Sequence, residues 1–311
     1  MDNRSDIRDF LVSRRARVTP EQAGLLSGGG RRRVAGLRRE EVAVLAGVST
    51  DWYTRLEKGH ISGVSDDVLE AVARALQLDE AERTYLFDLA RAARPSRAPR
   101  RRGNAPVPPR VQWMLDSMRD SAAFVANGRL DIVAANTLAR ALYSPVLDEP
   151  RWRGNIARFQ FLDPRAPEYH VNWDAAANVT VALLRTEAGR NPYDKDLREL
   201  VGELSTVSEE FRTRWAAHDV RLHQAGLKQF RHPAVGTLEV VFHSFDVASA
   251  DHSKLVMTVY TAEPGTPHED GLKLLASWAA THVTVSADPN TPAAEKACPR
   301  TRRPGVVADT T

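Results

Sequence analysis

Residues 39–59 read REEVAVLAGVSTDWYTRLEKG, and the spacing inside this stretch decides how the N-terminal part of the chain folds. A run with helical periodicity from Arg38 to Ala46 is followed by Gly47 and then by a second run from Ser49 to Lys58. Ala43 is small where two helices must cross closely, and Gly47, four residues on, takes a left-handed turn at no steric cost. Ser49 is a natural N-cap for the second helix, which Val48, Tyr53 and Leu56 pin by their apolar side chains.

Reading outward, Ile7, Phe10, Leu11 and Val18 predict a first helix that ends before Thr19-Pro20. The loop SGGGRRRVAG follows from Ser27. Ser65, with Asp66 and Asp67, caps a fourth helix carrying Val68, Leu69, Val72 and Leu76, and Asp79 with Glu82 opens a fifth carrying Tyr85, Leu86, Leu89 and Ala90. Residues 1–93 therefore read as an all-α domain of five helices. The segment 94–109, RPSRAPRRRGNAPVPP, is too rich in proline and arginine to bury a core and reads as a linker.

Residues 110–285 mix periods. A helix is expected around Val111 to Met118. Phe124–Ala126 and Arg129–Ala134 flank Asn127-Gly128, the pair best suited to a tight hairpin. Helical stripes follow at Trp173, Ala177, Val181, Leu184 and Ala188, at Leu197, Leu200, Val201 and Leu204, and at Phe211 and Trp215. Alternation then takes over through Leu238, Val240 and Phe242 and through Leu255, Met257 and Val259, before a last helix with Leu272, Leu275 and Ala279. This order describes an α+β domain whose small sheet is covered on one face. Residues 286–311 read as a disordered tail.

The chain has 311 residues, 27% of them charged, and no apolar run near the roughly 18 residues that a membrane span needs. MDNRSDIRDF lacks the apolar core of a secretory signal, and the single cysteine, Cys298, suggests a reducing cytoplasm. Net charge is +3, but residues 1–110 hold 21 Lys and Arg against 15 Asp and Glu, while the rest hold 22 against 25. Twenty of those 21 N-terminal bases are arginine, whose planar fork suits phosphate and guanine.

The segment from RRRVAGLRREEV to ERTYLFDLA resembles the XRE-type helix-turn-helix of bacterial transcriptional regulators, in particular the subgroup joined to a MmyB-like ligand-binding domain. IVAANTLARAL, RGNIARFQFLDP, NWDAAANVTVALLRTEAGR, LVGELSTVSEEFRTRWAAHDVR, HPAVGTLEV and VYTAEPGT resemble that family's blocks in order, so that residues 5–280 are nearly all covered. Trp52-Tyr53 stands where many members carry two tyrosines. The resemblance implies a PAS-like second domain able to hold a fatty-acid-like ligand, and a cytoplasmic, nucleoid-associated DNA-binding regulator.

Laid in the major groove, the second helix would present Ser49, Thr50, Asp51, Trp52, Thr54, Arg55 and Lys58. Asp51 could accept from a cytosine amino group or simply strengthen the helix start. Arg55 could read guanine or hold a phosphate, while Arg38, Arg39 and Lys58 would position the backbone. Arg31, Arg32 and Arg33 of the glycine loop read either as further DNA contacts or as a solvated flexible segment. The partners expected are double-stranded DNA and a second copy of the chain reading a neighbouring half-site.

For the polar end of a ligand the candidates are Asn136, Asn155, Arg185 and His232, each with a local alternative in a cap, an ion pair or a turn. Phe159, Phe161 and Trp215 are candidates for the apolar part, although at such spacing these, with Trp173 and Phe211, are more often core than pocket. No cofactor, metal or catalytic residue is expected, because no nucleophile elbow appears and His218 and His223 are wrongly spaced for one helical face. A C-terminal domain that docks a protein and takes no small ligand remains the alternative.

Overall fold

The computed structural model describes residues 3–25, 34, 36–94, 107–220, 224–248 and 254–286. Arg31, Arg32 and Arg33, most of the expected linker and the tail from 287 lie outside the described residues. The N-terminal region consists of α1 (Asn3–Arg17), α2 (Arg39–Ala46), α3 (Thr50–Glu57), α4 (Asp66–Ala75) and α5 (Glu80–Ala92). Ile7, Phe10, Leu11, Val42, Leu69 and Leu86 are fully buried among them. Asp79 and Glu82 exchange the expected bonds at the head of α5, 2.9 and 3.2 Å long. Ser65 stands at the N-cap of α4 but its side chain makes no capping bond, so Asp66 and Asp67 favour that end through charge alone.

The C-terminal region opens with α6 (Pro109–Ser117), where proline occupies a first-turn position that needs no amide donor. The strands β1 (Ala122–Asn127) and β2 (Ile132–Ala135) follow, then the short helices α7 (Thr137–Leu142), α8 (Ser144–Leu147), α9 (Ile156–Leu162) and α10 (Ala166–Tyr169). Next come α11 (Trp173–Arg190), α12 (Lys195–Val207) and α13 (Glu209–Ala216), the strands β3 (Ala225–His232), β4 (Gly236–Val247) and β5 (Leu255–Thr261), and α14 (Pro267–Ser286). The five strands form one antiparallel sheet in the order β2-β1-β5-β4-β3. This is the α+β arrangement expected of the region. None of the described helices is long and apolar enough to cross a membrane.

Two details depart from the sequence reading. The first hairpin is not closed by a tight turn at Asn127-Gly128: the Asn127 side chain accepts from the amides of Arg129 and Asp131 at 2.9 and 3.0 Å, and the positive φ, +65°, falls on Leu130. This side-chain bonding lengthens the turn, so Arg129 to Asp131 leave the strand. The sheet is also covered on more than one face, because Val111 and Leu115 of α6 pack on Ala123, Val125, Leu255 and Met257 behind it.

The two regions are locked together. Val220, just after α13, is buried in the N-terminal core. Arg14 of α1 donates to the carbonyl of His218 at 2.6 Å while its Nε lies 2.8 Å from Glu82, and Arg17 pairs with Asp219. The last turn of α11 rests on α5, where Nε of Arg190 donates to Asp88 at 2.8 Å.

Candidate DNA-reading face and ligand cavity

Gly47 ends α2 in the left-handed region, at φ +67°, which lets α3 leave at once in a new direction. Ser49 Oγ accepts from the Trp52 amide at 3.1 Å and so fixes the start of α3. Tyr53 and Leu56 are buried, which holds one side of α3 inward and turns the other out. On that outer side Ser49, Thr50, Asp51, Arg55 and Lys58 are exposed, while Trp52 and Thr54 are half-buried and Trp52 packs on the core. Arg55 and Lys58 have no carboxylate partner among the described residues, leaving two unneutralised cations on this face.

Arg38 is also exposed; its guanidinium lies 3.4 Å from Glu40, and its amide donates to Glu41 at 2.6 Å. Arg39 is engaged differently from the backbone-holding role expected of it. It pairs with Glu57, a carboxylate buried on the inner side of α3, which Arg15 of α1 also holds at 2.8 and 2.9 Å. The triplet ties α1, α2 and α3 together. Its trace in the sequence is Glu57, four residues after Tyr53, on the same buried stripe.

A cavity of about 460 Å³ lies between the inner face of the sheet and α11. Strand alternation supplies one wall: Phe124 and Ala126 from β1, Val256, Thr258 and Tyr260 from β5, Phe242 and Ser244 from β4 and Lys228 from β3. Ala176, Val179, Thr180, Leu183 and Thr186 of α11 form the other wall. The α11 stripe legible in the sequence, Val181, Leu184 and Ala188, faces away from the cavity onto α12 and α13.

The cavity is polar at its two ends. Where α11 begins, the hydroxyls of Tyr143 and Tyr260 are 2.7 Å apart and Lys228 Nζ lies 3.5 Å from each. His170 lines the same end, buried, with no hydrogen-bond partner for Nδ1. Burial and then the Lys228 charge push its imidazole down to about 3, so it is neutral near pH 7. Burial holds the Tyr143 hydroxyl far above the ordinary range, so it stays protonated. Lys228 has no carboxylate partner among the described residues. This end therefore offers an ammonium with hydroxyls beside it, while Glu239, which also lines the cavity, is held by Gln229. At the other end stand Glu187 and Arg190 of α11, with Asn127 and Lys254.

The residues expected to hold a ligand are placed elsewhere. Asn136 caps α7 by accepting from Ala139 at 2.8 Å, and its amide donates to the carbonyls of Met118 and Ser121. Asn155 caps α9 and donates to Asp131 at 2.7 Å. Arg185 is wholly buried, bonded to His218 at 3.0 Å and stacked 4.0 Å above the Trp215 ring. His232 bonds the Ala141 carbonyl at 3.0 Å. Phe159 packs on Tyr169, Phe161 on Phe211, and Trp215 stacks on Phe211. None of the seven lines the cavity, because each is consumed by a cap, a buried bond or the core.

Lys228, Tyr143, Tyr260 and His170, which line the cavity, are not among the residues expected above. The one available signal was the alternation that puts Lys228 on the same side of β3 as Phe230.

Residues 14–86 match the helix-turn-helix domain. None of the curated proteins matches the chain. Residues 107–275, more than half of the chain and the whole of the cavity, match the MmyB-like transcription regulator ligand binding domain. With a DNA-binding domain in front of that match, the chain belongs to the family of MmyB-like transcription regulators.

Proposed function

We propose that the protein is a sequence-specific DNA-binding regulator whose cavity takes a single-headed, apolar acid of the fatty-acid kind. The observation that carries this reading is the cavity itself: an apolar slot of about 460 Å³ with an ammonium at its end, Lys228, that has no carboxylate partner among the described residues. The carboxylate head sits at Lys228 and receives the one hydroxyl proton that the Tyr143–Tyr260 pair leaves free, with His170 Nδ1 close by. The chain runs along α11 between Leu183 and Val256. Burial yields about 0.8 kcal/mol per methylene, so a dozen carbons contribute on the order of 10 kcal/mol before ordering costs are subtracted. Apolar contact thus gives affinity, and the lysine gives orientation.

On the DNA side, α3 enters the major groove with Arg55 as its main base-edge or phosphate contact and Lys58 and Arg38 on the backbone. Two copies of the chain reading adjacent half-sites would supply the affinity that one small domain lacks.

The test is calorimetric titration of the full chain with dodecanoate and with dodecanol, for wild type and Lys228→Met. Wild type should prefer the acid, and Lys228→Met should lose about tenfold or more of its affinity for the acid, at least 1.4 kcal/mol, and little for the alcohol. No binding of either compound would sink the ligand reading and favour a protein-docking role. Failure of the chain to retard any promoter fragment at modest ionic strength would sink the DNA reading.

A further inference from the structure

The last turn of α11 belongs to two structures at once. Glu187 and Arg190 close the end of the cavity remote from Lys228, and Arg190 is at the same time bonded to Asp88 of α5. Asp88 is buried, and its second oxygen accepts from Arg91 at 2.6 Å. Between them, Gly189 comes so close to Tyr85 that an added Cβ would overlap the ring. Glu187 is buried against Gly128, where an added Cβ would fall 2.4 Å from its carboxyl carbon. With contacts this close on both sides, the turn has no free space in which to shift unnoticed by α5.

Resting on the acid-binding reading above, we infer that this turn is a length gauge: a chain that reaches Arg190 frees Asp88 and loosens the hold of the ligand-binding region on the DNA-binding region. Lys228 lies beside the start of α11, because the amide of Val171 bonds the carbonyl of Gln229 at 3.2 Å. From Trp173 to Arg190 the helix rises about 26 Å, which sets the distance from head seat to far wall. Octanoate falls well short of that wall and leaves the Arg190–Asp88 bond in place. Hexadecanoate spans most of it and brings a methyl terminus within reach of the long Glu187 and Arg190 side chains, which lean back toward the start of α11. The methyl terminus takes space that the Arg190 side chain fills, and the partly exposed guanidinium swings out to water while Asp88 keeps Arg91. Any such effect on DNA affinity is matched by an equal effect of DNA on acid affinity.

Hydrogen exchange on the full chain tests this, with octanoate and hexadecanoate as probes. Both acids should protect amides of β5 and of α11. Hexadecanoate alone should speed exchange in residues 86–92 of α5, by about tenfold for a coupling of ordinary size. Asp88→Asn should show that speed without acid, and hexadecanoate should add nothing to it. If Asp88→Asn fails to fold, the comparison of the two acids on wild type decides by itself. Protection of the cavity by hexadecanoate with α5 unchanged overturns the gauge alone, as does an equal effect of octanoate on α5. Absence of protection by either acid removes the ligand reading and the gauge together.

Discussion

Gly189 meets Tyr85 so closely that a Cβ on the glycine would stand 2.3 Å from Cε2 of the ring. Tyr85 is buried and packs edge-on against Phe10 at 5.1 Å, and its hydroxyl lies beside Arg185. The ring therefore has nowhere to go. Glycine is required here for approach and not for backbone freedom, since Gly189 sits within a regular helix.

Gly189→Ala should cost about 1 to 3 kcal/mol, the usual penalty of overpacking, even though alanine favours helix. Urea unfolding should show the loss. Combining it with Tyr85→Ala should recover part of it, giving a coupling that two independent sites would lack. Strict additivity of the two substitutions would show that the contact does not bind the regions together.

Arg55 and Arg39 should separate cleanly when each is changed to alanine. Arg55→Ala removes an exposed cation and should reduce operator affinity by about 1 to 3 kcal/mol, the range for a base-edge arginine, with unchanged stability. Arg39→Ala leaves the buried Glu57 with Arg15 alone, so its main effect should be on thermal stability. If about six phosphates are neutralised, wild-type affinity should fall with salt at a log-log slope near −5, and Lys58→Ala should make that slope shallower by about one. A slope unchanged by Lys58→Ala would move Lys58 off the backbone.

The N-terminal region was legible because its signals are local. Gly47, Ser49 and the Asp79–Glu82 pair each act within four residues, and each does in the structure what its spacing implies. The cavity was not legible, because the residues that make it polar are distant in sequence. Tyr143 and Tyr260 are 117 positions apart, and β3 brings Lys228 to them although AGLKQFRH carries too little apolar alternation to announce a strand. Asn136, Asn155, Arg185 and His232 are all buried and each is bonded inside the fold, although Nε of Arg185 has no hydrogen-bond partner among the described residues. Buried polar groups are usually paired inside the fold, so an ammonium without a carboxylate is the better pointer to a ligand.

Filling the cavity should mimic a ligand without its charge. Leu183 faces the cavity from the middle of α11 and is only half-buried, so Leu183→Trp has room to enter. The variant should keep or raise its melting temperature, since the added ring covers apolar surface, and should lose dodecanoate binding in calorimetry. Retention of wild-type affinity would place the ligand elsewhere.

Acid should loosen the joint between the two regions through His218. Its Nδ1 receives the Arg185 N–H at 3.0 Å, an arrangement open only to the neutral ring. Burial, and then the Arg185 charge, lower its pKa from the ordinary 6.5 to about 4. Below pH 6.5 the unfolded chain takes up a proton that the folded chain refuses until about pH 4. Stability is therefore full above pH 6.5 and lost progressively across that window, by up to about 3 kcal/mol from this group. His170, held down by burial to about 3, adds a loss of the same sign. His218→Asn should keep the backbone, because asparagine tolerates the φ of +54° found here, and its Oδ1 can still accept from Arg185. Urea midpoints measured from pH 7.5 to 4.5 should fall less steeply for His218→Asn than for wild type. Parallel curves for the two proteins would mean that His218 does not couple the joint to pH.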